Sequence, residues 1–82
     1  MAFRRYRVEL CYEDDGLWSA VVPALPGCAL NAESRKEAFD SMQECAQAFV
    51  DVLSQGGKTP PPEDVEAATE FVTVQVAEEG AP

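Results

Sequence analysis

Two stretches near the start of the chain alternate between apolar and polar residues. In the first, residues 5–12, the positions on one face are Tyr6, Val8, Leu10 and Tyr12. A period of two over this length predicts a half-buried β-strand. Residues 17–22 alternate in the same way, with Trp18, Ala20 and Val22 on one face. Pro23 would end this second strand, because proline has no N–H to donate to a ladder.

The residues between and after these strands predict tight turns. Asp15-Gly16 separates the two strands, and glycine reaches a positive φ without steric cost, so the pair indicates a β-hairpin. Ala24–Gly27 follows Pro23 as a corner, in which Pro26-Gly27 suits the central positions of a type II turn. The next residues, 28–31, can form a short third strand.

After Asn31 the period with which apolar residues recur changes from two to about 3.6, which predicts one helix lying on the sheet. Ser34 and Glu37 form a capping box at its start. The apolar stripe comprises Ala38, Phe39, Met42, Cys45, Ala46, Phe49, Val50 and Leu53. Gly56-Gly57 can supply a left-handed cap at its end.

The last third of the chain predicts one more strand. Residues 58–62 are proline-rich and extended, and residues 63–70 are acidic with room for one helical turn. Alternation returns at 71–76, and 77–82 is expected to be a frayed tail. The order β-β-β-α-β predicts an α+β domain of two layers, an antiparallel sheet with one helix on one face, spanning residues 1–82. The fourth strand could pair within the chain or with another copy, and dimerisation would cover its edge.

The net charge of the chain indicates which kinds of partner it could bind. Six basic and fifteen acidic residues give a net charge of −9. A phosphate backbone would be repelled, so we expect no direct binding of nucleic acid. A basic protein would be attracted, although the same charge is also consistent with plain solubility. No apolar run approaches the roughly 18 residues of a membrane span, and the N-terminus does not resemble a signal peptide, so we expect a cytoplasmic protein without membrane contact.

The residues that carry most enzymatic and metal chemistry are sparse. The chain has no histidine, and its cysteines, Cys11, Cys28 and Cys45, include no C-x-x-C pair. We therefore expect no zinc site, no cofactor and no activated cysteine, and we interpret the thiols as buried and reduced. Asp14 and Asp15 could join Glu44 or Asp51 around Mg²⁺ as in a nuclease, but turn formation explains both aspartates more simply.

The run from Glu13 to Cys28, EDDGLWSAVVPALPGC, followed by the capped start at Ser34, resembles the core motif of the HicB-like antitoxin family. Asp15-Gly16 with Trp18 matches the hairpin of that family, and residues 23–28 match its corner almost letter for letter. Ser34, Glu37 and Ala38 match its "Thr-x-x-Glu-Ala" helix start, and 60–62 resemble its proline segment. The resemblance covers roughly residues 6–62.

The resemblance implies a partial RNase H-like fold that acts by binding. Its partner would be a small, basic HicA-type toxin that cleaves mRNA, and the chain itself would not be an enzyme. The candidate partner-binding residues are Tyr12, Asp14, Asp15, Trp18 and Glu33. Longer members carry a C-terminal DNA-binding module for which this sequence leaves no room, so autorepression is not expected.

Several alternatives stay open at this point. Trp18 could be a core residue or an exposed anchor at an interface. Arg4, Arg5 and Arg7, the one basic cluster of the sequence, could pair across the sheet or contact a second copy. We expect a homo-oligomer, a dimer or a tetramer. A stand-alone oligomer with a structural or small-ligand role is the alternative function, and a degenerate metal-dependent nuclease is the third.

Overall fold

The computed structural model describes residues 2–65 and 70–76. Its elements are β1 (Ala2–Arg7), β2 (Glu9–Tyr12), β3 (Trp18–Val21), β4 (Ala29–Ala32), α1 (Arg35–Gln55) and β5 (Phe71–Val76). The α+β class with antiparallel strands and one helix is confirmed. Our suggestion of a helical turn within 63–70 and of a frayed tail at 77–82 falls largely or wholly outside the described residues. No helix in the described part combines the length and apolar character needed to cross a bilayer.

The first predicted strand is longer than expected, and its two halves, β1 and β2, pair with different strands. β1 pairs antiparallel with β5, whereas β2 belongs to the antiparallel order β2-β3-β4. The alternation continues in phase across the break, because Tyr6 and Val8 are both buried. The Val8 N–H donates to Glu70 on the β5 side at 3.1 Å, whereas the Glu13 N–H donates to Leu17 on the β3 side at 2.8 Å. Even- and odd-numbered residues of one continuous strand therefore bond to opposite neighbours.

The core lies between this sheet and α1. The helix contributes four fully buried side chains, which are Ala38, Met42, Ala46 and Val50. They meet apolar side chains from the strands and the corner, including Tyr6, Ala20, Val22, Leu25, Cys28, Val72 and Val74. The predicted stripe and the predicted inward face of the second strand are thus confirmed, although Phe39, Cys45 and Phe49 are only partly buried.

Both predicted ends of the helix are present. The Ser34 hydroxyl accepts the Glu37 N–H at 3.1 Å, which is the serine half of the capping box. At the other end the Gly57 N–H donates to Ser54 at 3.0 Å, and the Lys58 N–H donates to Leu53 at 2.9 Å. Gly57 has φ 73°, so this is a Schellman motif, in which glycine adopts the left-handed conformation.

Side chains of the helix cover the outer edge of β5. The Gln47 carboxamide accepts the Gln75 N–H at 2.8 Å and donates to the Gln75 carbonyl at 2.9 Å. Gln43, one helical turn earlier, forms the same pair of bonds with the backbone of Thr73. Of the two possibilities that the sequence left open for this strand, the structure shows pairing within the chain, with β1. The two glutamine side chains bond the backbone of Thr73 and Gln75 on its other edge.

The outer edge of β1 is covered by residues 60–64, which we call the proline strap. The Tyr6 hydroxyl donates to the Pro61 carbonyl at 2.6 Å, and Arg4 donates to the same oxygen at 2.9 Å. The Asp64 N–H then bonds the Arg5 carbonyl at 3.0 Å, and the Arg7 N–H bonds the Asp64 carbonyl at 2.7 Å. The strap thus pairs with the edge of β1 through one isolated parallel β-bridge, between Tyr6 and Asp64.

Candidate partner-binding surface

The five candidate residues lie at one end of the three-stranded sheet. Tyr12 and Trp18 face each other across β2 and β3, and Trp18 in turn pairs with Ala32 of β4. Asp14 and Asp15 lie in the turn that joins β2 to β3, and Glu33 directly follows β4. The sequence therefore selected residues that the fold brings to the same end of the molecule.

The aromatic pair is divided between core and solvent. Trp18 is half-buried and packs against the core, whereas Tyr12 is 63% exposed. Their ring centroids are 5.5 Å apart with the planes tilted by 59°. The core interpretation of Trp18 accounts for its packing, and Tyr12 is more exposed than a position on the inward face of a strand would suggest. The Trp18 ring contacts the Tyr12 ring on one side, and the rest of the Tyr12 ring offers an apolar surface to solvent.

The first residue of the helix, Arg35, lies near Trp18. The Arg35 guanidinium carbon lies 6.0 Å from the centroid of the Trp18 ring, at the outer limit of a cation–π contact. The same guanidinium pairs with the Glu70 carboxylate just before β5. Arg35 and Glu70 were not identified from the sequence, because they are far apart in the chain and only the folded arrangement of helix and strands brings them together.

The two aspartates form an acidic turn. The Asp15 carboxylate accepts the Leu17 N–H at 2.9 Å, and Gly16 has φ 86°, so Asp15 has the turn role that the sequence favoured. An open cavity of about 400 Å³ lies beside the turn, lined by Glu13, Asp14, Asp15 and Asn31. Within the described residues, no group of three or more His, Cys, Asp or Glu side chains is arranged to hold a metal.

Acidic side chains continue from this turn along the helix. Glu33 is exposed beside the Ser34 cap. A second open cavity of about 370 Å³ follows on the first turns of α1, lined by Ser34, Lys36, Glu37, Asp40, Ser41 and Glu44. Its one lysine pairs with Asp40 at 2.6 Å, which raises the pKa of the Lys36 ammonium. This side of the molecule is therefore predominantly acidic.

The arginines of β1 are engaged within the chain. Arg5 pairs with Glu63 at 3.3 Å, and Arg7 pairs with Asp64 at 3.0 Å and with Glu9 at 3.3 Å. Arg5 and Arg7 therefore follow the first of the two interpretations of this cluster, pairing with acidic residues, whereas Arg4 donates to the carbonyls of residues 60 and 61. The backbone N–H of Arg5 and then its side chain hold the pKa of Glu63 below its ordinary value.

The three thiols have different surroundings. Cys28 is buried, and burial, reinforced by the nearby Cys45 thiol, raises the pKa of Cys28 to about 11. Cys45 is half-buried in the helix. Cys11 is exposed, so the expectation of buried thiols is wrong at that position, where the open face of the sheet leaves it in water. A hydrogen bond with Glu13, together with the negative charge of that carboxylate, raises the pKa of Cys11.

Comparison with known proteins gives a consistent result. A family model described as "HicB_like antitoxin of bacterial toxin-antitoxin system" matches residues 6–76. The UPF0150 protein Ta0767 of Thermoplasma acidophilum is 31% identical over 65 residues, covering 79% of this chain and 94% of that protein. The crystal structure of the N-terminal domain of Burkholderia pseudomallei antitoxin HicB matches with a TM-score of 0.70 and 17% identity, covering 90% of this chain and 99% of that one. At such identity the last match shows a common fold.

The family match extends beyond the motif recognised in the sequence. It continues through β5, so it includes the helix and every described strand except the first four residues of β1. Membership suggests a non-enzymatic role and a toxin as partner. On the combined evidence of its motif, fold and matched length, the chain belongs to the HicB-like antitoxin family of bacterial toxin–antitoxin systems.

Proposed function

We propose that this protein neutralises a small, basic, mRNA-cleaving toxin of the HicA type in the cytoplasm, and that it does so as one domain without chemistry of its own. The observation that carries the proposal is the exposed Tyr12 ring beside the acidic turn of Asp14 and Asp15. An RNA-cleaving protein needs a cationic face for its substrate, and an acidic surface can occupy that face.

Each part of the surface would have a different role in the complex. Tyr12 would be an anchor, because aromatic side chains dominate binding energy when a partner desolvates them. Trp18 would act mainly by fixing the Tyr12 ring. Asp14, Asp15 and Glu33 would pair with arginines and lysines of the toxin, raising the association rate and excluding nucleic acid from the same face.

A binding experiment with purified HicA-type toxin tests the anchor. Tyr12→Ala is expected to weaken binding by about tenfold or more, since removing a central aromatic contact costs over 1 kcal/mol. Phe3→Ala is the matched control, because Phe3 is 65% exposed and lies on β1, away from the hairpin end. Equal loss for the two variants, or loss for neither, would contradict the assigned surface.

The acidic turn is tested by changing charge without changing shape. In Asp14→Asn/Asp15→Asn the amide oxygen at position 15 can still accept the Leu17 N–H, so the turn is retained. We expect slower association and a weaker dependence on salt. Asp51→Asn, near the far end of the helix, is the control. A double variant that neutralises toxin as well as the original protein would remove the electrostatic part of the proposal.

The same preparations distinguish the alternative functions. A stand-alone oligomer with a structural or small-ligand role would bind no toxin from its own genome. A degenerate nuclease would cleave RNA when Mg²⁺ is added, and would lose that activity in the Asp14→Asn/Asp15→Asn variant. Protection of mRNA from the toxin, with no cleavage by the antitoxin alone, is the result we expect.

A further inference from the structure

Two of the three cysteines lie outside the proposed partner-binding surface and face each other across the core. Cys28 is the last residue of the corner, and its carbonyl accepts the Val22 N–H at 3.1 Å. Val22 and Cys28 continue the register of β3 with β4, so their side chains lie on the same face of the sheet. Both side chains belong to the buried core, so the Cys28 thiol points from the sheet toward α1.

The second thiol, Cys45, lies on the side of α1 that faces β4. Gln43 and Gln47 mark the opposite side of the helix, because they bond to β5. At about 100° per residue, Cys45 lies on one margin of the buried stripe and these glutamines lie on the other. The continuous strand of β1 and β2 places β5 at one end of the strand order and β4 at the other, and α1 packs against both. The Cys45 side chain is therefore turned toward β4.

The two cysteines also lie level with each other. The two glutamine contacts follow the same order along α1 and β5, so the helix runs parallel to β5 and antiparallel to β4. From Ala32 back to Cys28 the strand rises about 13 Å, and from Arg35 to Cys45 the helix rises about 15 Å. These similar distances bring the side chains together, and a side-chain hydrogen bond joins the Cys45 and Cys28 thiols.

We propose that Cys28 and Cys45 form an intramolecular disulfide when the protein meets a peroxide, and that a dithiol reductant reverses it. Thiols that are already in contact meet the first requirement of a disulfide, which is the close approach of the two side chains. Free thiols are the resting form in a reducing compartment. The disulfide would join the end of the corner to the middle of the helix.

The oxidation balances with hydrogen peroxide as a two-electron oxidant. Cys45 is half-buried and Cys28 is 2% exposed, so peroxide reaches Cys45 first. The Cys45 sulfur attacks one peroxide oxygen, the O–O bond breaks, and the products are a sulfenic acid and water. The Cys28 sulfur then attacks the Cys45 sulfur, the S–O bond breaks, and the leaving hydroxide takes up the Cys28 proton to form a second water. Two thiols are thereby oxidised and one peroxide is reduced.

The burial of Cys28 sets the speed of the second step. Burial raises the pKa of the Cys28 thiol to about 11, and the thiolate is the attacking form, so closure is slow at neutral pH. A brief exposure to peroxide would leave the thiols free, whereas sustained exposure would close the bond.

The disulfide would stabilise the fold without altering the partner-binding surface. It would close the loop between residues 28 and 45, which removes conformational freedom from the unfolded chain and should raise Tm by more than about 5 °C. Val22, opposite Cys28, follows the last residue of β3, whereas Trp18 is the first. The oxidised pair would therefore lie at the far end of β3 from the Tyr12 ring, and the inference does not depend on the proposed function.

Mass spectrometry of the Cys11→Ser protein tests the pairing. This variant removes the exposed thiol and leaves the other two unchanged. Trypsin cleaves after Arg35 and Lys36, so Cys28 and Cys45 fall in different peptides. After sustained treatment with equimolar hydrogen peroxide and alkylation of the remaining thiols, we expect a monomer lighter by two hydrogen atoms. Its digest should contain one cross-linked pair of peptides that dithiothreitol separates.

Two results of this experiment would overturn the proposal. One is a Cys45 thiol oxidised to sulfinic acid while Cys28 is still alkylated after unfolding in urea. The other is a set of disulfides that join separate copies of the chain, with none inside a monomer.

Thermal unfolding of a matched control tests the effect on stability. Cys45→Ser in the Cys11→Ser background removes the partner of Cys28 with little change in shape, and circular dichroism checks that it is folded. Peroxide should raise the Tm of the Cys11→Ser protein by more than about 5 °C and leave the Tm of the control unchanged. Equal changes of Tm in the two proteins would contradict the proposal. Toxin binding measured before and after oxidation reports separately on the proposed function.

Discussion

The glutamine side chains of α1 allow a quantitative prediction about stability. Replacing Gln47 with alanine removes two hydrogen bonds to Gln75, of 2.8 and 2.9 Å, in a partly buried setting. Each such bond contributes about 1 kcal/mol net, and the helix gains a few tenths of a kcal/mol from alanine. We therefore expect Gln47→Ala to lower the free energy of unfolding by about 1.5 kcal/mol. For a chain of this size, that lowers Tm by roughly 6–12 °C.

Gln43→Ala should have a smaller effect, about 1 kcal/mol, because its bonds to Thr73 are more exposed to water. The two positions share one ladder, so the double variant need not equal the sum of the single variants. It leaves the outer edge of β5 open, and we expect it to aggregate on heating more readily than either single variant.

Urea unfolding followed by Trp18 fluorescence measures both effects. Gln55→Ala is the matched control, because Gln55 is the exposed last residue of α1 and makes no side-chain bond to β5 among the described residues. A Gln47→Ala protein within 0.5 kcal/mol of the Gln55→Ala protein would refute the reasoning. The helix would then be held to β5 by apolar packing alone.

Three further predictions concern titratable groups and the core. Burial raises the pKa of Tyr6, so the bond of its hydroxyl to Pro61 stabilises the fold below pH 10 and is lost as pH rises through the folded-state pKa. Tyr6→Phe should lower the free energy of unfolding by about 1 kcal/mol at pH 7. It should also remove the loss of stability at alkaline pH when unfolding is measured as a function of pH. Because the pKa of Glu63 is lowered in the fold, the ionised carboxylate stabilises the protein above the ordinary carboxyl pKa, and this stabilisation is lost as pH falls through the folded-state pKa. Glu63→Gln should therefore make the free energy of unfolding depend less on pH in the acid range. Cys28→Ser places a hydroxyl in the core and should cost about 1–3 kcal/mol in urea unfolding, whereas Cys11→Ser should be nearly neutral.

Local signals in the sequence predicted most of the elements. The Asp15-Gly16 turn, the Ser34 cap and the glycines after Gln55 each depend on the conformation of a few adjacent residues, and the structure contains all three. The same is true of the alternation that placed Tyr6 inward. In each case the physical cause lies within one turn of the chain, so reading the residues in order is sufficient.

Long-range pairing could not be predicted in the same way. Nothing local indicates that Tyr6 lies beside Val72, that Gln47 bonds to the backbone of β5, or that Arg35 meets Glu70. Each contact depends on which strands are neighbours, and that choice is made by the packing of the whole core. Four candidate site residues lie together because the family motif places them in one hairpin, and Glu33 directly follows the next strand. Their role in binding stays a prediction.

The pairing of β1 with β5 has a consequence for how the protein is made. β1 is synthesised before β5 and finds its partner only when residues 71–76 have left the ribosome, because those residues complete its ladder. Contacts of such long sequence separation form slowly, and until then the nascent chain displays an unpaired, partly apolar N-terminal segment. A translation product that ends before β5 would therefore leave β1 without its antiparallel partner. The amount of folded protein in the cell should therefore follow the number of completed polypeptides and not the number of initiated ones.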